Sequence, residues 1–562
     1  MRTPSPRWLS MLYAAAALLA IVLYFFDLGG QHIPKNGDEF PYAHITRLTA
    51  ASGQLLPLQS ELDGMRNTKP PLIFWQGIAA TNGGTEWTLW NLRYPSVIYT
   101  LLTALLCYLL TSRLTQDRRK GALAALIFLA FFTTYRFGRP FLTNAPETFW
   151  LFLPFFLLLY LPRAFDSRWL PPLIGVLVGI GLLYKSFALL LPIGTCLAWW
   201  YLHERRYQLR DFISADVWKL ALVAILALGT FALWFALDPQ PQAIWNEFVV
   251  GENAGKFKPG DSNYFFKLAW GASSFWTLVL GFPMNAGLLA FPVFGLMVAA
   301  LRHPRALSRE EKLLWALPLV MLFVFSLPSQ RSARYLLDAM PAVAILSALA
   351  WDRLGRIWFL LSLIFIGLLT GLLAYLAWSV QAAQPELALF GIGYAALLAA
   401  TLAGVVFAVL SPALTRPATV VAALLALLSL AGFLRPFNGL HGNYSPASIA
   451  QVAGREVWVP YDFNAKYEAY RFLLPGANIR GYVETREMDV NDLAAHYPLF
   501  AVHLPLDALP CAGCQVIGER LDLRGRHSPV ELKEILRGRV FEHLFVKELL
   551  LSSPENSVKG RH

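Results

Sequence analysis

Charged residues are scarce in this chain of 562 residues. Asp, Glu, Lys and Arg make up 15%, against about 25% in an ordinary soluble domain. That shortage, with 56% hydrophobic residues and a mean hydropathy of +0.48, excludes a soluble multidomain enzyme. Cysteine is nearly absent: four residues are too few for a disulfide scaffold. Cys107 and Cys196 lie inside apolar runs, and only Cys511 and Cys514 form a close pair. There is no P-loop and no HExxH motif, and the repeated halves usual in transporters are missing. The first apolar run, Trp8 to Phe26, has no small-residue cleavage site before Asp27, so it reads as a retained span.

What the chain has instead is a series of apolar runs of roughly 15 to 22 residues, long enough to cross a hydrocarbon core of about 30 Å. The expected fold class is a polytopic α-helical membrane protein with about thirteen transmembrane helices. They start near residues 8, 93, 120, 147, 171, 186, 217, 274, 311, 338, 357, 389 and 418. The formal charge of +11 reflects Lys and Arg gathered in alternate short loops, such as Arg113 with Arg118, Arg119 and Lys120, or Arg205 with Arg206 and Arg210. This is the positive-inside pattern, and no nucleic-acid partner is implied. The opposite loops, 27–92, 238–267 and the Lys/Arg-free 379–388, then face outward.

From about Arg435 charge rises and no run can span a membrane. The expected division is therefore a transmembrane domain at 1–434 and a small extracytoplasmic α/β domain at 435–562. In the latter, Val457–Tyr461, Pro498–Leu504 and His543–Leu551 read as strands, and Ala465–Leu473 and Pro529–Leu536 as helices. In an outside compartment Cys511 and Cys514 are expected to form a local disulfide.

The first outer loop carries the densest chemistry. It runs Gly37-Asp38-Glu39-Phe40-Pro41-Tyr42-Ala43-His44-Ile45-Thr46-Arg47, and later Asn67-Thr68-Lys69-Pro70-Pro71-Leu72-Ile73-Phe74-Trp75. Tyr42, Ile45 and Leu48 share a face at helical spacing, so an amphipathic helix in the membrane interface is expected, opened by two acids. Asp38 could simply cap that helix. Lys69, stiffened by two prolines, holds an ammonium at the membrane surface and suits a lipid phosphate.

These motifs resemble the polyprenyl-phosphate-sugar-dependent glycosyltransferases of the GT-C class, in the bacterial branch of protein O-mannosyltransferase-like enzymes and 4-amino-4-deoxy-L-arabinose lipid A transferases. In that branch an acid opens the loop, a Tyr-x-x-Ile-x-Arg helix follows and Lys-Pro-Pro-Leu-x-x-Trp closes it. Gly138 to Pro146, Leu183 to Ser186, Phe248 to Phe257 and Gln330 to Leu337 resemble further motifs of the class. The resemblance covers most of residues 30 to 341, while the C-terminal third matches only in layout. An isolated Lys185 between two apolar runs is costly without a partner or a water-filled cavity, which sets it apart from the other candidates.

The resemblance implies an inverting enzyme that moves a sugar from an undecaprenyl-phosphate-type donor to lipid A, another glycan or glycolipid, or a protein. The reaction lies at the periplasmic face of a bacterial inner membrane. Catalytic candidates are Asp38, Asn144 and Glu147; substrate-binding candidates are Glu39, Tyr42, Arg47, Lys69, Arg139, Lys185, Glu252, Lys256, Arg331, Arg334 and Tyr335. Departures from the class pattern are Asn144 for a second Asp, Pro41 for an Arg, and Thr68 and Asn253 for a Glu and His that could hold a cation. Glu147 could supply the carboxylate that Asn144 lacks. Losing both ligands argues against zinc at that place. No metal or other cofactor is therefore expected to be required, although magnesium or calcium on Asp38, Glu39 and Glu252 stays open. The rival readings are a lipid or solute transporter or flippase, which polar residues concentrated in outer loops disfavour, and an inactive scaffold, which the presence of Asp38 and Lys69 disfavours.

Overall fold

The computed structural model describes residues 6–554 apart from 36, 63, 257–263, 272–273, 330, 440, 462–464, 484–488 and 525–526. It is mostly helical, with one sheet near the C-terminus. The first helices are α1 (Pro6–Phe25), α2 (Glu39–Ala51), α3 (Leu72–Ala80), α4 (Leu89–Thr115), α5 (Arg118–Ala130), α6 (Phe132–Gly138), α7 (Asn144–Tyr160) and α8 (Leu170–Tyr184). Among the described residues eight helices are long and apolar enough to cross a membrane, or nine if the pair α5 and α6, bent by 66°, is one span. Other expected spans correspond to shorter apolar helices, α7 with 17 residues and α8 with 15 among them. The chain is a multi-pass membrane protein.

Local chemistry sets where these helices begin and end. Thr88 caps α4 by accepting from the Asn91 amide, and the helix closes on Gln116 in the left-handed region. Asp117 then accepts from the Arg119 amide at 2.8 Å and starts α5. The resulting hairpin is packed so closely at Gly121 that a Cβ there would lie 2.5 Å from the Tyr108 carbonyl oxygen and 1.9 Å from Ser112 Oγ.

The first outer loop is tied down by a buried ion pair. Arg93 of α4 is fully buried. It donates through Nε and Nη2 to the two carboxylate oxygens of Glu39, at 2.7 and 2.8 Å, and through Nη1 to the carbonyls of Leu28 and Gly30. Two parallel N–H···O bonds fix orientation as well as distance. Tyr42 of α2 packs edge-on against Phe74 of α3. The expected interfacial amphipathic helix is corrected here: α2 is buried on Pro41, Ala43, His44 and Thr46 as well as on Tyr42 and Ile45. Its polar side is covered by protein, because Tyr467 and Glu468 of the C-terminal region pack on His44.

The C-terminal sheet contains β1 (Glu456–Tyr461), β2 (Asn478–Val483), β3 (Leu499–Leu504), β4 (Gln515–Leu523) and β5 (Phe545–Ser552), in the order β2-β1-β3-β5-β4. β1 pairs in parallel with β2 and β3, and β5 pairs antiparallel with β3 and β4. The three expected strands are the three central ones. Both edge strands escaped the sequence pattern, since they are half-exposed and interrupted by Gly481 and Gly518, and β4 carries a bulge between Val516 and Gly518. Pro529–Leu536 is helical, with a capping box from Ser528 and Glu531. The expected helix at Ala465–Leu473 is a 3-10 turn, Lys466–Ala469, followed by one α-turn, Tyr470–Leu473. Cys511 and Cys514 form a disulfide.

Candidate active site

Asp38 stands at the N-cap position of α2, yet its side chain makes no capping hydrogen bond. Instead Arg334 Nη1 donates to Asp38 Oδ2 at 2.8 Å, and Arg334 Nη2 donates to Asn144 Oδ1 at 3.2 Å. Arg334 lies at the start of the 3-10 helix Ala333–Ala339, where Ser332 accepts from its backbone amide, and its guanidinium sits over the Phe137 ring. Three segments remote in sequence thus meet at one cation. Asp38 stays 42% exposed, so its carboxylate is open to a substrate in a way that a buried structural acid is not. Arg334 Nε and Asn144 Nδ2 are buried donors with no hydrogen-bond partner among the described residues.

A cavity of about 530 Å³ brings together Lys69, Lys185, Glu147, Glu252, Asn253 and Tyr335, walled by Phe187, Leu189, Val249, Phe325 and other apolar side chains. Lys69 Nζ donates to Glu252 Oε1 at 2.9 Å. Lys185 sits where α8 ends, and its Nζ donates to the buried Glu147 Oε1 at 2.9 Å. Asp338, which the sequence did not single out, lies beside Glu147 and accepts from Thr148 Oγ1 at 2.8 Å. Two ammonium groups at an apolar-walled cavity suit an anionic head on a hydrophobic tail. Tyr42 joins the two halves of the site. Burial first, and then the charge of Asp38, raises its phenol well above the usual range, while Arg334, Glu252 and Glu147 also act on it. Its hydroxyl therefore stays a neutral donor.

The structure puts several candidates elsewhere. Glu39 is occupied by Arg93, by the Phe141 amide at 2.9 Å and by Lys35 at 3.2 Å. Burial pushes its carboxyl up, but Arg93 and Lys35 outweigh this and hold it at about 2. Arg47 is engaged by Glu468. Arg139 is buried and donates to the carbonyls of Tyr24 and Phe26 and to the Tyr135 hydroxyl, so it ties off the end of α1. Arg331 donates to the Ser326 carbonyl at 2.7 Å and lies over the Tyr264 ring. The side chain of Lys256, with Phe257 and Gln330, lies outside the described residues.

At two candidate metal places the polar groups already have protein partners. Asn253 accepts from Ser186 Oγ and donates to the Phe248 carbonyl, both at 2.8 Å, so its amide is already engaged. In the C-terminal sheet the ligand atoms of His503, Asp522 and Glu548 lie within 4.8 Å of one another. Arg520 Nε and Nη2 already pair with Glu548 at 2.8 and 2.9 Å, and the Tyr444 and Tyr470 hydroxyls donate to it. Burial pushes His503 down, but Glu548 and Asp522 outweigh this and raise it to about 9.

Residues 36–246 match the family described as dolichyl-phosphate-mannose-protein mannosyltransferase. The undecaprenyl phosphate-alpha-4-amino-4-deoxy-L-arabinose arabinosyl transferase of Pectobacterium carotovorum is 28% identical over 366 residues, 60% of this chain and 60% of that protein. Transferase 2 of that description from Pseudomonas fluorescens is 29% identical over 371 residues, 62% of this chain and 61% of that protein. The chain thus matches less than two thirds of the length of these relatives. ArnT from Cupriavidus metallidurans, solved bound to undecaprenyl phosphate, superposes with a TM-score of 0.63 over 99% of this chain and 100% of that one, at 16% identity. Its apo structure gives 0.59 at 17% identity. At these identities the superpositions establish the fold alone. Residues 36–246 are therefore similar to the dolichyl-phosphate-mannose-protein mannosyltransferase family, and the chain folds throughout like the Cupriavidus protein.

Proposed function

We propose that this protein transfers a sugar from an undecaprenyl-phosphate-type lipid donor to an acceptor oxygen at the periplasmic face of a bacterial inner membrane. Residues 1–434 form the membrane part and residues 435–562 a periplasmic domain. The observation that carries the reading is the pair Lys69 and Lys185 at the apolar-walled cavity, next to a half-exposed Asp38 that caps nothing. The lipid tail lies along the wall and its phosphate approaches the two ammonium groups.

In the reaction the bond from the anomeric carbon to the donor phosphate oxygen breaks, and a bond to the acceptor oxygen forms. The electron pair leaves with the lipid phosphate, whose growing charge Lys69 and Lys185 stabilise. Asp38 takes the proton of a hydroxyl acceptor, or orients an acceptor that is already an anionic phosphate. Attack in one displacement inverts the anomeric centre. Arg334 and Asn144 hold Asp38 in place, and Glu147 balances Lys185. No metal step is needed.

The names of the relatives make 4-amino-4-deoxy-L-arabinose the first donor sugar to test and lipid A the first acceptor. Other glycolipids, glycans and exported proteins follow in the same panel. The test offers labelled undecaprenyl-phosphate sugars and those acceptors to the purified chain in nanodiscs. Label on an acceptor supports the reading, and none across the panel with bound donor overturns it.

A further inference from the structure

The helix that Asp38 opens is held by the C-terminal region on both sides of that residue. Downstream, Glu468 is fully buried. It accepts from Arg47 Nη2 at 2.8 Å and Nε at 3.2 Å. It also lies 2.7 Å from His44 Nδ1, and because His44 Nε2 accepts from the Glu61 amide at 3.0 Å, the ring proton sits on Nδ1 and is donated to Glu468. Upstream, His32 Nε2 is 3.3 Å from Asp522 Oδ1, and Asn438 Nδ2 donates to the His32 carbonyl at 3.1 Å. Further along the loop Leu62 packs into the core beneath the sheet, and Trp87 stacks on Phe472 with ring centroids 5.8 Å apart.

His44 and Arg47 are three residues apart and so present one side of α2 to Glu468. Asp38 and Tyr42 precede them on the same short helix and belong to the site. Glu468 does not line the cavity that holds Lys69 and Lys185. A helix of 13 residues moves as a rigid piece, so the contacts at His44 and Arg47, together with the Glu39–Arg93 pair at its first turn, fix where Asp38 at its N-cap points.

We propose that Glu468 is a positioning residue: through His44 and Arg47 it sets the rotation and depth of α2 and thereby holds Asp38 against Arg334 and Asn144. The proposal rests on the glycosyl-transfer reading of the site. It gives Arg47 the role of an anchor where the family resemblance implied a substrate contact, and it makes the C-terminal domain part of the catalytic geometry.

The test compares wild type with Glu468→Ala, Glu468→Gln and Arg47→Gln in the full chain in nanodiscs. It reads kcat, donor KM and hydrogen exchange across residues 39–51. A displacement of about 1 Å can cost about 100-fold, so Glu468→Ala should lower kcat by about 10- to 100-fold, with donor KM within about 2-fold and faster exchange in α2. Glu468→Gln keeps one acceptor oxygen but sets an amide donor against Arg47 and leaves Arg47 and Arg471 without a counter-charge, so its kcat should fall between those of Glu468→Ala and wild type. Arg47→Gln should lower kcat and leave donor KM unchanged; a rise in donor KM alone would make Arg47 a donor contact and overturn the proposal. Wild-type kcat, or unchanged exchange in α2, in Glu468→Ala would overturn it too. If Glu468→Ala does not fold, the other two variants decide by the same criteria. A wild type that transfers nothing overturns the glycosyl-transfer reading itself and this proposal with it, whereas active wild type and active variants overturn only the positioning role.

Discussion

Two neighbouring acids, Asp38 and Glu39, have opposite fates. Glu39 faces Arg93 in the interior, and removing one partner of a buried pair leaves the other charge uncompensated, at about 3–5 kcal/mol. Glu39→Gln should therefore lower the thermal unfolding temperature sharply. Asp38→Asn should leave that temperature nearly unchanged while cutting kcat by about 100- to 10,000-fold if it removes a general base. A scan of unfolding and turnover on both variants checks this, and equal destabilisation of the two would contradict it. Lys69→Ala and Lys185→Ala should each lower kcat by about 100- to 1,000-fold through loss of charge stabilisation on the departing phosphate. Asp38, Lys69 and Lys185 were legible in the sequence, since each is an ionisable residue at a helix start or at a break between apolar runs. Glu468, Asp338 and Arg93 were not. Their meaning lies in partners 421, 190 and 54 positions away, counting Arg47, Thr148 and Glu39, and no local pattern encodes such a pairing.

At the scale of elements, the α4–α5 hairpin gives a direct test of packing. Any side chain at Gly121 must displace Ser112 and the Tyr108 carbonyl, whereas nothing lies within 4 Å of a Cβ at Gly194. Gly121→Val should yield little monodisperse protein on size exclusion, and Gly194→Ala should behave as wild type. The apolar runs placed the membrane helices because hydrocarbon permits only self-satisfied backbone. Amphipathic spacing misplaced α2: a polar face means contact with polar partners, and here those partners are His44 with Glu468 and not water or lipid headgroups. The central strands were legible from their apolar content, while the edge strands carry the charges and glycines that keep edges from pairing with other chains.

For the whole molecule, the ionisable groups that join the C-terminal sheet to the first outer loop predict how stability follows pH. Burial pushes Glu468 up, but hydrogen bonds from His44 and Arg47 and the charges of Arg47 and Arg471 outweigh it and hold the carboxyl at about 2. A depressed carboxyl contributes stability above its unfolded value of about 4.3, and that contribution is lost as pH falls through the folded value. His503, raised to about 9, contributes fully below its unfolded value of about 6.5 and loses that contribution as pH rises through about 9. His32, lowered to about 4 by burial, costs stability as pH falls below its unfolded value of about 6.5, so resistance of the C-terminal domain to unfolding or limited proteolysis should be greatest near about pH 6.5 and fall on either side. A steady rise from pH 6.5 to 9 would contradict this. The central claim, that the protein uses a lipid-phosphate donor held by Lys69 and Lys185 and an acceptor oriented by Asp38, is tested most directly on one nanodisc preparation in which binding of undecaprenyl phosphate and transfer of labelled sugar are both measured. The account predicts that wild type binds and transfers, Asp38→Asn binds without transferring, and Lys69→Ala does neither well. Wild type that binds the lipid and moves it across a vesicle membrane without transferring sugar to any acceptor would contradict it.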